Sequence, residues 1–171
     1  MSRSRALRDR FSRIRLRQYA GLADDAIAQA KRSGFYLSED LRYRWDSDST
    51  VFHGTVECEG GIRVQINERL RKVAATAWYH RKNDPLVRLE YYANNIVLVN
   101  VGTVVRYNSP HADHNTFHHL HRYDVFGDEL APGEQIMPVT KLHEREVPTL
   151  RQVMQEAEDW YHKNLGRLPK G

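Results

Sequence analysis

The sequence predicts an α+β fold: an antiparallel β-sheet of five or six strands, with N-terminal helices and a C-terminal amphipathic helix packed on it. Three observations lead there. Residues 51–107 are rich in β-branched side chains and alternate with period two. Turn-forming residues interrupt that stretch at short intervals. Helical spacing is confined to the two ends of the chain.

The elements follow in order. Through residues 3–17 arginine alternates with apolar residues, and Leu7, Phe11 and Ile14 stand four and three apart, on one helical face. Gly21 is expected to interrupt that basic helix. A second helix is expected over 22–32: Asp24 and Asp25 suit its first turn, Lys31 and Arg32 its last, and Gly34 its C-terminal cap. Residues 38–50 are polar, with a loop at Asp46-Ser47-Asp48-Ser49. Strands are expected at 51–58 and 62–69, joined by the turn Glu59-Gly60-Gly61. In the second of these Ile62, Val64 and Ile66 alternate with Arg63, Gln65 and Asn67, so one face is buried and one is wet.

A third strand is expected over 73–80, closed by Lys82-Asn83-Asp84-Pro85, and a fourth over 86–93, closed by Asn94-Asn95. The valine-rich stretch 96–107 reads as the most buried strand, with Gly102 at a bulge, and 118–125 as a further strand. Residues 127–146, holding Pro132, Gly133 and Pro138, read as a surface segment. Pro148-Thr149 opens the last helix, where Leu150, Val153, Met154, Ala157, Trp160 and Tyr161 recur at helical spacing, and Gly166 ends it. This divides the chain into a basic helical extension, 1–34, and a single α+β domain, 35–171.

Composition narrows the function classes. A chain of 171 residues with 40% hydrophobic and 28% charged residues is long enough for its own core and too apolar for a disordered segment. No apolar run approaches the roughly 20 residues that cross a bilayer, and the basic N-terminus lacks the apolar stretch of a secretory signal. Cys58 is the only cysteine, so no internal disulfide forms; a cytoplasmic location is expected. The net charge is +4, and among the first seventeen residues seven arginines face only Asp9. Arg8, Arg10, Arg13, Arg15 and Arg17 are therefore candidates for contact with nucleic acid or an acidic partner surface; a solvated basic helix is the alternative.

The densest chemistry lies in the run from Arg106 to His121, which holds five of the nine histidines: His111, His114, His118, His119 and His121. In a strand, His119 and His121 share one face with Tyr123, while His118 and Leu120 take the other. If the strand ending at Arg106-Tyr107 pairs with this one, a guanidinium or a phenol joins the imidazoles. Three readings follow. Two histidines and an arginine suffice for acid–base cleavage of RNA, because the 2′-hydroxyl is the nucleophile. Strand histidines with His111 or His114 and Asp113 could instead hold a divalent metal, although the spacing fits no standard zinc signature. Or the rings are structural. The first reading needs no cofactor.

Other motifs carry less. Cys58 suits a buried small residue. Ser109 lacks the surroundings of a nucleophile elbow. Tyr91 and Tyr92 point to opposite faces of a strand, so at least one belongs to the core.

Glu90-Tyr91-Tyr92-Ala93, Val105-Arg106-Tyr107-Asn108-Ser109-Pro110-His111, Phe117-His118-His119-Leu120-His121 and Pro148-Thr149-Leu150 together resemble the TumE-like family of small prokaryotic proteins. The resemblance covers about residues 51–161. It implies a small α+β fold and the role of toxin in a toxin–antitoxin pair, with a DNA-binding helix-turn-helix antitoxin as cognate partner and a growth-inhibiting ribonuclease as the expected class. The matching candidate catalytic positions are Arg106, Tyr107, His111, His118, His119 and His121. Asn108 stands where the family has aspartate, which matters if that carboxylate is a base or ligand and not if it forms a turn. The expectation is a toxin-like ribonuclease acting on RNA. A non-enzymatic nucleic-acid- or partner-binding protein, with structural or metal-holding histidines, is the alternative.

Overall fold

The computed structural model describes residues 14–73, 84–109, 117–130, 134–138 and 149–168; for 117–119 and 134–138 it describes the backbone alone. The α+β class is the one found. A two-residue strand β1 (Ile14–Arg15) leads into α1 (Leu16–Ser33). Then come β2 (Tyr36–Trp45), β3 (Ser49–Cys58), β4 (Ile62–Lys72), β5 (Leu86–Leu98), β6 (Gly102–Asn108), β7 (Phe117–Arg122) and β8 (Glu134–Pro138). The last helix, α2, spans Leu150–Asn164. Strands β2 to β8 pair in chain order, each antiparallel to the next. β6 pairs with β5 only from Ala93 onward, and β1 pairs with the start of β5, Ile14 opposite Val87.

One face of the sheet is apolar and both helices cover it. In β4 every second residue from Ile62 to Leu70 is buried and the residues between are exposed. The inward row packs against Ala23, Ala26, Ile27 and Ala30 of α1 and Leu150, Val153, Met154, Ala157 and Trp160 of α2. Fully burying one branched side chain there is worth roughly 1.5–3 kcal/mol. The capping box of α2 sets its start: Thr149 Oγ1 accepts from Gln152 N at 3.3 Å, and Gln152 Oε1 accepts from Thr149 N at 2.8 Å.

Local sequence and tertiary structure part company at four places. Gly21 does not interrupt a helix, and α1 runs from Leu16 to Ser33. A helical glycine costs only about 1 kcal/mol, and both flanks of this one are anchored. Leu16 packs with Leu70 and Val87, and Asp84 of the loop before β5 accepts from Arg17 N at 3.0 Å, supplying a cap the helix's own sequence lacks. The polar stretch after residue 36 belongs to a strand, β2, which is the sheet edge and buries only Tyr36, Leu41 and Tyr43 in part. Asn94-Asn95 is no turn: β5 continues through it, and the chain reverses at Asn100, which takes a left-handed φ of 71°. The expected surface segment 127–146 contains β8. The strand expected over 73–80 lies outside the described residues beyond Val73, as do residues 3–13 of the basic helix.

Gly54 is required by its neighbours. It sits in β3 at φ 142°, and a Cβ there would lie 1.9 Å from the Asp40 carbonyl oxygen of β2. Only glycine allows β2 to cross so closely.

Candidate functional site

The β6–β7 pair decides which side chains meet. Val105 lies opposite Arg122, Arg106 opposite His121, Tyr107 opposite Leu120, and Asn108 opposite His119. Cross-strand partners share a face, so Arg106, Asn108, His119 and His121 belong to the outer face of the sheet. Tyr107 and Leu120 belong to the inner face, and His118, two residues before Leu120, falls in that inner row. Tyr123 stacks near His121, ring centroids 6.4 Å apart, in keeping with the shared face expected from spacing two.

Two of these outer groups are held by partners the chain supplies locally. With the Asn108 amide assigned by its hydrogen-bond partners, Arg106 Nε donates to its oxygen at 2.8 Å and its nitrogen donates to the Tyr107 carbonyl at 3.1 Å. Asn108 therefore orients the guanidinium without neutralising it. His121 Nδ1 lies 2.8 Å from Glu129 Oε1. Glu129 is returned to this position by a tight loop in which Asp124 Oδ1 accepts from Phe126 N at 2.8 Å and Asp128 N at 2.9 Å, and by the bridge between Tyr123 and Glu129. A carboxylate on one ring nitrogen fixes the orientation of an imidazole and directs its chemistry to the other.

Tyr107 was expected to stand with Arg106, and it does not. It is buried at 8% exposure on the helix side, where burial first, and then Glu156, push its phenol well above the ordinary value; Arg122 opposes that shift. A strand residue next to Arg106 must point the other way. Of the remaining expected residues, His111 and the arginines Arg8, Arg10 and Arg13 lie outside the described residues. Arg15 has a structural task, its Nη1 donating to the Asp84 carbonyl at 2.8 Å. Arg17 is exposed. Among the described residues no three His, Cys, Asp or Glu side chains gather as metal ligands; His114 and Asp113 are not among them.

Beneath this corner lies a polar group that the sequence reading passed over. Glu68 occupies the inward row of β4 between Ile66 and Leu70 and is 2% exposed. The Asn94 amide nitrogen donates to its Oε1 at 2.7 Å, and the Asn94 oxygen accepts from Asn67 N at 3.3 Å. Burial raises the Glu68 carboxyl to about 7, opposed by that hydrogen bond. Tyr92 is also buried; desolvation and then Glu68 and Tyr107 push its phenol upward. Ser109 ties this layer to the histidine segment: its N–H donates to the Tyr92 carbonyl at 2.9 Å, and its Oγ accepts from Tyr92 N at 3.3 Å. Glu68 was legible in principle, since the alternation that buries Ile62, Val64 and Ile66 buries residue 68 next. Glu129 carried no comparable signal, because a seven-residue return loop sets its position. Cys58 is buried as expected, its thiol pushed up to about 12 by desolvation.

The outer face is strongly basic. Arg42 pairs with Asp40, Arg63 with Glu57 and Arg71 with Glu90. Arg44, Arg69 and Arg88 are exposed there with no carboxylate partner among the described residues.

Fold and site together define an α+β protein whose outer sheet face bears exposed arginines, with a His/Arg corner at β6–β7. Compared with protein-family models, with curated proteins and with solved structures, the chain matches none.

Proposed function

We propose that this protein is a toxin-like ribonuclease of a toxin–antitoxin pair, cleaving RNA at the Arg106–His119–His121 corner. The observation that carries the reading is the β6–β7 register, which sets Arg106 opposite His121 and Asn108 opposite His119 across the two strands. Residues two apart on a strand are separated by about 6.6 Å, a spacing that suits a base and an acid on either side of one phosphodiester. One imidazole takes the proton of the RNA 2′-hydroxyl, whose oxygen attacks phosphorus. The other protonates the departing 5′-oxygen, leaving a 2′,3′-cyclic phosphate and a free 5′-hydroxyl. Arg106 stabilises the charge that builds on the phosphoryl oxygens. Glu129 orients His121 through the 2.8 Å contact at Nδ1. Asn108 in place of the family's aspartate keeps Arg106 un-neutralised, which favours an anionic substrate. Tyr107 takes no part in the step, since its phenol faces the core. The partner in this reading is the cognate helix-turn-helix antitoxin, and the compartment is the cytoplasm.

The test is RNA cleavage by the purified protein and by His119→Ala and His121→Ala, with chelator present. Each substitution is expected to lower the rate on the order of 10²–10⁴-fold. Equal rates in all three proteins remove the proposal. The exposed arginines favour a second reading, a non-enzymatic RNA-binding protein; salt-dependent binding without turnover would select it.

A further inference from the structure

The outer face holds a second feature, well away from the His/Arg corner. Four strands carry one continuous row there: Arg44 of β2 opposite Val51 of β3, Val51 opposite Arg69 of β4, and Arg69 opposite Tyr91 of β5. The next row sets His53 between Arg42 and Asn67. Val51, His53 and Thr55 are short compared with the arginines on either side, so β3 forms the floor and β2 and β4 the walls of a hollow of about 760 Å³. Val51 is only 5% exposed although it sits on the open face. The arginine stems flank it and their charged heads stay in water.

The hollow is charged and uncompensated. Its carboxylate, Glu90, is held by Arg71 at 2.7 Å, which leaves Arg44 and Arg69 without an acidic partner among the described residues. Two arginines rooted about 10 Å apart, with one strand between them, match a polyanion rather than a single carboxylate. Beside them Tyr91 is 38% exposed, an aromatic ring on the open face at the end of the row. A cationic groove with an aromatic platform is the pattern that binds single-stranded nucleic acid: the cations follow the backbone and the ring stacks on a base.

We infer that the Arg44–Val51–Arg69–Tyr91 row is a docking site for single-stranded nucleic acid, with phosphates between the two arginines and a base on Tyr91. It rests on the ribonuclease reading only for its purpose. Arg69 and His121 are four residues apart along the strands and three strands apart across them, about 20 Å, so a bound strand would run diagonally over the face to the corner. The binding itself requires no chemistry at the corner.

A fluorescently labelled single-stranded oligothymidylate about ten nucleotides long tests this. It lacks a 2′-hydroxyl, so the proposed cleavage cannot consume it. Anisotropy is measured from about 50 to 200 mM salt. Arg44→Ala/Arg69→Ala is expected to weaken binding and to lower the slope of log K against log salt by about 1.4, near 0.7 per lost phosphate contact. Tyr91→Leu is expected to weaken binding about 5- to 150-fold with the slope unchanged. All three side chains are exposed, so melting curves like the parent's are expected. Parent affinity and slope in the double arginine variant overturn the proposal, as does equal competition by polyglutamate of matched charge. Arginine-dependent binding without any RNA cleavage by the parent ends the ribonuclease reading and leaves this one standing.

Discussion

Replacing Glu68 by glutamine should make the protein more stable at alkaline pH and leave it nearly unchanged at acid pH. Glu68 is buried in the apolar row of β4, and its carboxyl is raised from 4.5 to about 7 by desolvation. The folded state therefore holds a proton that the unfolded chain releases. Between those values the unfolded chain binds fewer protons, so stability falls as pH rises. The stabilisation is fully present below about pH 4.5 and is lost through about pH 7. At 1.36 kcal/mol per pH unit the loss is about 3 kcal/mol, or roughly 6–12 °C in melting temperature for a chain of this size. Glutamine has nearly the same shape, keeps an oxygen to accept from Asn94 Nδ2 and does not titrate. Tyr92, the nearest ionisable neighbour, has its phenol pushed further up and does not titrate in this window. Urea denaturation of parent and Glu68→Gln at several pH values from about 4.5 to 8.5 reads the difference directly, because every other titrating group cancels. The curves should lie close together near pH 4.5, separate between about pH 4.5 and 7 with the variant higher, and keep a constant gap above that. Parallel curves would show that Glu68 does not carry a raised carboxyl, and the reasoning would fail.

Two further substitutions probe the frame. Gly54→Ala should cost at least about 3 kcal/mol in thermal or urea denaturation, because its Cβ meets the Asp40 carbonyl at 1.9 Å in a backbone conformation that alanine avoids; a loss under about 1 kcal/mol would mean that β2 can shift away. Tyr43→Phe should stabilise the protein by about 1 kcal/mol or leave it unchanged, since the Tyr43 hydroxyl is buried without a hydrogen-bond partner among the described residues while its ring stacks on Phe52 at 4.7 Å; marked destabilisation in the same assay would reveal a hydroxyl partner.

Much of the frame and half of the corner could be read from the chain alone. Alternation of apolar and polar residues located β3, β4 and β5, and helical spacing with Thr149 ahead of it located α2, because burial on one face imposes a period that local sequence records. The same alternation put His121 and Leu120 on opposite faces, as the register with Arg106 and Tyr107 does. It put Tyr91 and Tyr92 on opposite faces without saying which is core; the structure buries Tyr92, at 1% exposure.

Tertiary structure alone decided the rest. Gly21 remains helical because Leu16 and Asp84, distant in sequence from one another, hold the flank. β2 is a strand because β3 offers an edge, although its own side chains show little burial. Which residue meets which across a sheet is a matter of register, and register depends on turns and bulges that composition does not encode. That is why Arg106, and not Tyr107, shares a face with His121, why Glu129 reaches the imidazole, and why Arg44, Arg69 and Tyr91, scattered over nearly fifty residues, fall in one row.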